Sequence, residues 1–87
     1  MLNFVTVKDI KINLGQLCKA KRQTLDVSQE ELGEALDLSR YTIQKFENGK
    51  NATLDTVLKI ANHFDLLPQL NKAINSIIED EKNQSLY

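Results

Sequence analysis

Polar side chains at positions 40–48 recur on one side of a short helical pattern, and they are well suited to binding a polar partner. Guanidinium and ammonium groups donate hydrogen bonds, whereas a phenol or an amide both donates and accepts. Ile43 and Phe46 supply the apolar side of the same pattern. The spacing therefore predicts a helix that packs on a core with one side and offers hydrogen bonds with the other. The side chains on the polar, hydrogen-bonding side are Arg40, Tyr41, Gln44 and Lys45.

Two capped helices are predicted in this part of the chain. The hydroxyl of Ser28 can accept from free backbone N–H groups of the next turn, and Glu31, three residues later, completes a capping box. Ser39 can cap the second helix, and Asn48-Gly49 ends it. The polar side chains named above belong to this second helix.

The turn between the two helices is Asp37-Leu38. It is too short for the helices to lie antiparallel, so we expect them to cross steeply, as in a helix-turn-helix. Gly33 lies where the helices would approach most closely, and a larger side chain there would push them apart.

The sequence offers little for catalysis or metal binding. It contains one histidine, His63, one cysteine, Cys18, and no Gly-rich phosphate loop. A metal site or a nucleophile with its base needs more of these groups at close spacing. Carboxylates such as Glu30-Glu31 and residues 79–81 lie where capping or solvation accounts for them. We therefore expect no enzymatic activity, no metal and no cofactor, with Cys18 a small buried group in a reducing cytoplasm.

Length and composition favour one small domain spanning residues 1–87. No apolar run approaches the roughly 20 residues that a membrane span needs, and the N-terminus lacks the pattern of a secretory signal. The net charge is −1, yet residues 1–22 carry five Lys/Arg against one Asp, and the rest of the chain is acidic on balance. If the basic side chains share one surface, the protein has a basic face and an acidic back. Glu30, Glu31 and Glu34 lie close to that basic face, so we expect a monomer to bind nucleic acid weakly or with strong salt sensitivity.

Two further helices are predicted beside this pair. From Lys8 to about Thr24 apolar residues recur at helical spacing. Gly15 inside this pattern is expected to cost about 1 kcal/mol relative to alanine, which a packed helix tolerates. Thr53 can cap a fourth helix, which we expect to be apolar and well buried from Leu54 to Phe64.

The two ends of the chain leave alternatives open. Residues 2–7 are rich in β-formers and form either an arm over the core or a strand that pairs with its copy in a dimer. Pro68 suits the first turn of a fifth helix, whose apolar stripe either closes the core or meets a second copy. We expect residues 79–87 to fray. The stripe consists of Leu70, Ala73, Ile74, Ile77 and Ile78.

An ordered series of short motifs runs from Leu14 to about Leu70. Its members are Ser28–Leu32, Leu38–Arg40, Thr42-Ile43, Glu47–Lys50, and Thr53-Leu54 followed by Leu58–Ala61. This series resembles the Cro/repressor (XRE) family of helix-turn-helix DNA-binding domains. The resemblance implies an all-α, five-helix, lambda-repressor-like fold with a short N-terminal arm or strand, and a helix-turn-helix at residues 29–48.

The resemblance also implies site residues. The helix that begins at Arg40 would enter the major groove, where Arg40, Tyr41 and Lys45 would read bases. Asn48 and Lys50 would hold the DNA backbone, which sets register rather than sequence. The remaining implied DNA contacts are a phosphate anchor at Gln29 and groove-edge positions at Ser39, Thr42 and Gln44.

Arg22 and Glu47 occupy positions that form a structural ion pair in relatives. That pair would fix the recognition helix on the first helix. Asp37 departs from the family, which usually has glycine in this turn. Because Asp tolerates a left-handed conformation better than most residues, we expect the turn to survive.

The function implied is a transcriptional regulator, a repressor or autoregulator, that binds double-stranded operator DNA as a homodimer. The acidic composition is more familiar among antitoxins of toxin–antitoxin operons, which bind their own promoter and a toxin. The alternative is therefore a HipB-like antitoxin whose main role is to bind and neutralise a HipA-like kinase toxin. One protein can perform both roles.

Overall fold

Five α-helices make up most of residues 4–85, the part of the chain that the computed structural model describes. No strand occurs within this range, and none of the helices in it is long and apolar enough to cross a membrane. The predicted all-α, five-helix fold is confirmed. The helices are α1 (Val7–Thr24), α2 (Gln29–Leu36), α3 (Arg40–Glu47), α4 (Leu54–His63) and α5 (Leu67–Ser85).

Side-chain caps fix where the first four helices begin. The predicted caps of α2, α3 and α4 are confirmed, since the hydroxyls of Ser28, Ser39 and Thr53 each accept from a backbone N–H at 3.0–3.1 Å. A fourth cap, Thr6, was not predicted. It forms a capping box with Asp9, so α1 begins one residue earlier than its apolar pattern indicates.

Left-handed aspartates end three of the helices. Asp37 has φ 57° in the turn between α2 and α3, and Asp26 and Asp65 adopt the same conformation after α1 and α4. The next N–H after Asp37, that of Leu38, donates to the carbonyl of Gly33 at 2.8 Å. A Cβ on Gly33 would lie 2.5 Å from the carbonyl oxygen of Leu38, which confirms the predicted close approach.

The core is centred on α3, which packs against both α1 and α2. Ile43 of α3 and Leu32 of α2 are fully buried. The expectation that α4 is buried from its first residue is wrong, because Leu54, which begins the helix, is 73% exposed. The buried apolar residues are Cys18, Leu32, Ile43, Phe46, Ile60 and Phe64.

Gly15 is required where α1 crosses α3. A Cβ at this position would lie 2.5 Å from the carbonyl oxygen of Phe46 and 2.7 Å from that of Glu47. The expectation that Gly15 is a tolerated but slightly unfavourable residue is therefore wrong. Its missing side chain lets the backbone of α1 lie directly against the last turn of α3.

Helix α5 leaves most of its surface in solvent. Leu66, the residue before α5, packs against the core, but every residue from Gln69 to Gln84 is exposed. The apolar stripe therefore does not close the core of a single chain. The expected fraying is not seen at residues 79–85, because α5 continues to Ser85 through residues such as Glu and Lys that favour helix, and residues 86–87 of the predicted frayed tail lie outside the described range.

The described part of the N-terminal arm does not cover the core. Phe4 and Val5 are 80% and 67% exposed and precede α1 without regular structure. One of the two alternatives, an arm lying over the core, is therefore wrong for these residues. Residues 1–3 lie outside the described range, and the strand pairing between two copies stays a prediction.

Candidate nucleic-acid interface

The buried and the exposed side chains of α3 lie on opposite sides of the helix, as its sequence pattern predicts. Ile43, Phe46 and Glu47 face the protein and are buried, whereas Arg40, Tyr41 and Gln44 are exposed. A ligand that approaches α3 from solvent therefore meets a guanidinium, a phenol and an amide. This combination is suited to hydrogen bonding with the edges of base pairs.

A buried ion pair holds α3 on α1. Arg22 Nε lies 2.7 Å from Glu47 Oε2, and Arg22 Nη2 donates to Oε1 at 2.9 Å. The side chains of Arg22 and Glu47 are only 12% and 2% exposed. Arg22 Nη1 also donates to the carbonyl of Val27 at 2.9 Å, so the same guanidinium holds the loop before α2. The paired geometry restrains both the position and the rotation of α3.

Glu47 accepts hydrogen bonds from side chains of two other helices, α1 and α2. Besides Arg22, Gln29 of α2 donates from Nε2 to Oε1 at 3.0 Å, and the thiol of Cys18 donates to Oε2 at 3.6 Å. Burial raises the pKa of Glu47, but the hydrogen bonds from Arg22 and Gln29 outweigh it, and the net pKa lies below the usual 4.5. The carboxylate therefore stays charged at neutral pH.

Cys18 is an inert buried thiol. Burial and then the nearby Glu47 carboxylate raise its pKa to about 12, so the reactive thiolate does not form at neutral pH. This agrees with the prediction of a small core residue.

The Gln29 amide also faces inward to Glu47, so the amide of the predicted phosphate anchor is engaged within the protein.

A polar groove runs along the exposed side of α3 into the loop that follows it. Its volume is about 580 Å³. On its α3 side, Lys45 Nζ lies 5.5 Å from the centroid of the Tyr41 ring, a cation–π contact. Two of the three predicted base readers, Tyr41 and Lys45, therefore line this groove, whereas Arg40 does not. The groove is lined by Tyr41, Gln44, Lys45, Asn48, Gly49, Lys50 and Asn51.

The hydroxyls of Ser39 and Thr42 are engaged with each other. Ser39 Oγ accepts from the backbone N–H of Thr42 at 3.0 Å, and the two hydroxyl oxygens lie 2.9 Å apart. Both therefore help to start α3, and each retains capacity for one further polar contact at the groove edge.

One contact of the groove has no local signal in the sequence. Lys11 Nζ, on α1, donates to Asn51 Oδ1 at 2.5 Å across a separation of 40 residues. Among residues 4–85 no group of His, Cys, Asp and Glu is arranged to hold a metal ion. The polar groups that line the groove are ammonium, amide and phenol groups, and none of the lining residues carries a carboxylate.

The comparisons with known proteins bear on the same region. A family model described as helix-turn-helix matches residues 19–70, which include α2, α3 and α4. A provisionally named HTH-type transcriptional regulatory protein of Methanocella arvoryzae is 39% identical over 51 residues, covering 59% of this chain and 16% of the relative. A relative with the same name from Methanosphaerula palustris is 38% identical over 56 residues, covering 64% of this chain and 18% of the relative.

The chain thus aligns with a small part of each of these relatives, less than a fifth of its length. The family match, in contrast, takes in more than half of the chain and the whole of the two capped helices with their turn. The chain belongs to the helix-turn-helix family of Cro/repressor (XRE) type.

Proposed function

We propose that this protein is a sequence-specific DNA-binding transcriptional regulator that reads operator DNA with α3 in the major groove. The observation that carries the proposal is the polar, exposed side of α3, held in place by the buried ion pair between Arg22 and Glu47. A rigid helix with a fixed rotation can distinguish base pairs, because each pair presents a different pattern of donors and acceptors. A binder of genomic DNA of this kind would act in the cytoplasm.

The proposed roles follow from where each side chain lies. Arg40 begins α3 and is exposed, so its guanidinium can donate to guanine O6 and N7. Tyr41 and Lys45 form one unit through their cation–π contact and read neighbouring base edges. Asn48 and Lys50 follow the helix and contact phosphates. The proposed groove-edge contacts are Ser39, Thr42 and Gln44. Gln29 donates one amide proton to Glu47, so the proposed phosphate anchor uses its second amide proton or its backbone N–H.

Replacing Arg40 by alanine is expected to reduce the preference for the operator by about tenfold. The loss of one bidentate base contact costs about 1–3 kcal/mol of discrimination. Fluorescence anisotropy with the DNA upstream of the gene and a scrambled duplex of equal length measures this preference. Lys50→Ala is the matched control, and it should weaken binding to both duplexes by a similar factor. Unchanged preference in Arg40→Ala would show that α3 does not read bases through this residue.

The proposal includes a homodimer that joins two copies through α5. The exposed stripe on this helix includes Leu70, Ile74, Ile77 and Ile78, each 40–62% exposed in the single chain. Two copies related by a two-fold axis would bury the stripe and present two recognition helices to half-sites about 34 Å apart. Dimeric binding would also offset the weak electrostatic attraction expected of a chain with net charge −1.

Replacing Ile74 by glutamate is expected to convert the dimer into a monomer, because it places a charge in the middle of the apolar stripe. Sedimentation velocity at micromolar concentration measures this directly. Ser76→Glu adds the same charge to an exposed position on another side of α5 and should leave the dimer intact. A wild-type protein that sediments as a monomer throughout would contradict the α5 dimer.

The second proposed function, an antitoxin that binds a protein toxin, is favoured by the same exposed stripe and by the acidic residues that follow it at 79–81. A partner protein with a basic, apolar groove would suit this end of α5. Purification of the tagged protein from its native host, with Ile74→Glu as control, tests the alternative. A stoichiometric partner that is lost in the variant supports it, and recovery of the protein alone with its DNA contradicts it.

A further inference from the structure

The first turns of α1 lie beside the end of the recognition helix, outside the region that the family model matches. That match begins at residue 19, whereas α1 begins at Val7. Gly49, which has φ +74° just after α3, packs against this early part of α1. A Cβ on Gly49 would lie 3.0 Å from Ile12 Cγ1 and 3.2 Å from Ile12 Cα. Residues 7–18 are therefore positioned to contribute side chains to the surface beside α3.

Lys11 contributes its side chain to the surface beside α3. Its Nζ donates to Asn51 Oδ1 at 2.5 Å. An ammonium group can only donate hydrogen bonds, so the amide of Asn51 must present its oxygen to Lys11. The amide nitrogen of Asn51 then points away from Lys11 with its two protons, and the ammonium keeps two protons of its own. The contact leaves donors of both residues available to a further acceptor.

The surroundings of this contact are positively charged. Lys50 precedes Asn51 in the chain and is exposed, and both residues line the groove beside α3. Among residues 4–85, neither Lys11 nor Lys50 has a carboxylate within ion-pair distance. The acidic groups nearest in sequence are engaged elsewhere: Asp9 in the cap of α1, Glu47 with Arg22, and Asp55 with Lys59.

We propose that Lys11, Lys50 and the Asn51 amide bind a phosphate of the DNA backbone, next to the bases that α3 reads. The site combines two ammonium groups with amide donors, a chemistry suited to a phosphodiester anion. Because Lys11 belongs to α1 and Asn51 to the loop after α3, the bound phosphate is held by two segments at once. This inference rests on the proposed function, and it adds to the interface a residue outside the matched helix-turn-helix region.

The test is the salt dependence of DNA binding by Lys11→Gln. Each phosphate contact contributes about 0.9 to the slope of log affinity against log salt, so the variant should lose about one unit of slope per protomer. Its affinity should fall by the same factor for the upstream duplex and for a scrambled duplex, because a phosphate contact carries no sequence information. Lys11→Arg keeps the charge and should restore most of the slope.

Lys72→Gln is the matched control, because it removes the same charge from an exposed position on α5 that does not line the groove. Thermal unfolding of each variant reports whether the loop and fold are intact. A slope for Lys11→Gln equal to that of Lys72→Gln would overturn the phosphate site, as would a loss confined to the upstream duplex. Either result leaves the proposed function standing if wild type still prefers the upstream duplex. Wild type that binds neither duplex at about 50 mM salt would overturn both proposals.

Discussion

Replacing Arg22 by alanine is expected to lower the free energy of unfolding by about 3–5 kcal/mol, the usual cost of removing one partner of a buried ion pair. The side chain of Glu47, which is 2% exposed in the intact pair, would keep only Gln29 and the weakly donating Cys18 thiol to stabilise its charge. The carbonyl of Val27 would lose its donor as well. Urea unfolding followed by circular dichroism measures the difference.

The double variant Arg22→Met with Glu47→Leu is the control for this prediction. Because it removes both charges, it should be more stable than Arg22→Ala alone. If the free energy of unfolding of Arg22→Ala were within 1 kcal/mol of the wild-type value, the ion pair would not be what holds α3 on α1. Whichever variant folds, α3 should be less firmly held, so we also expect weaker discrimination between operator and scrambled DNA.

The pH dependence of the free energy of unfolding is a second way to measure the effect of Arg22→Ala. In wild type the net pKa of Glu47 is lowered, so its stabilising contribution is present in full above 4.5 and is lost as the pH falls through the lower folded value. In Arg22→Ala, burial raises the pKa of Glu47 with less opposition, so the folded state gains from protonation. The stability gap between the two proteins should therefore narrow as the pH is lowered. A gap that stays constant from pH 7 to pH 4 would contradict this explanation.

Replacing Gly15 by alanine is expected to lower the free energy of unfolding by about 3 kcal/mol, at the upper end of the range for overpacking. In an ordinary helix this change would stabilise, by about 1 kcal/mol. Here the new methyl group would lie under 3 Å from the carbonyl groups of Phe46 and Glu47, and backbone atoms cannot move aside as a flexible side chain can. Thermal and urea unfolding measure both the sign and the size of this change in the free energy of unfolding.

Gln16→Ala is the matched control on the same helix, since Gln16 is exposed. It should change stability by less than about 0.5 kcal/mol, as surface substitutions usually do. A Gly15→Ala protein as stable as the control would mean that α1 and α3 can separate at little cost. The restraint on α3 would then rest on the ion pair alone.

The features that the sequence predicts well are local ones. Ser28, Ser39 and Thr53 cap helices with atoms three residues away, and Asp37 adopts its left-handed conformation within a single turn. The alternation of Ile43 and Phe46 with polar residues predicts which side of α3 is buried. Each signal lies within one turn of helix, where spacing alone determines which groups can meet.

The features that the sequence does not predict depend on packing between distant segments. Gly15 is explained only by the carbonyls of α3, and Lys11 meets Asn51 across 40 residues. The ion pair of Arg22 with Glu47 was implied by the family resemblance and not by any local pattern. The exposure of the α5 stripe depends on where the helix leaves the core, which its amphipathic pattern does not specify.

In the proposed function, the exposed side of α3 reads a DNA sequence. Selection from a pool of random duplexes tests it most directly, because it assumes no operator. Wild type, Arg40→Ala and Lys50→Ala are carried through the same rounds at the same salt concentration. We predict that wild type enriches one sequence with two related half-sites, that Lys50→Ala enriches the same sequence more weakly, and that Arg40→Ala loses preference at one position in each half-site. No enrichment by wild type, or the same sequence enriched equally by Arg40→Ala, would contradict the account.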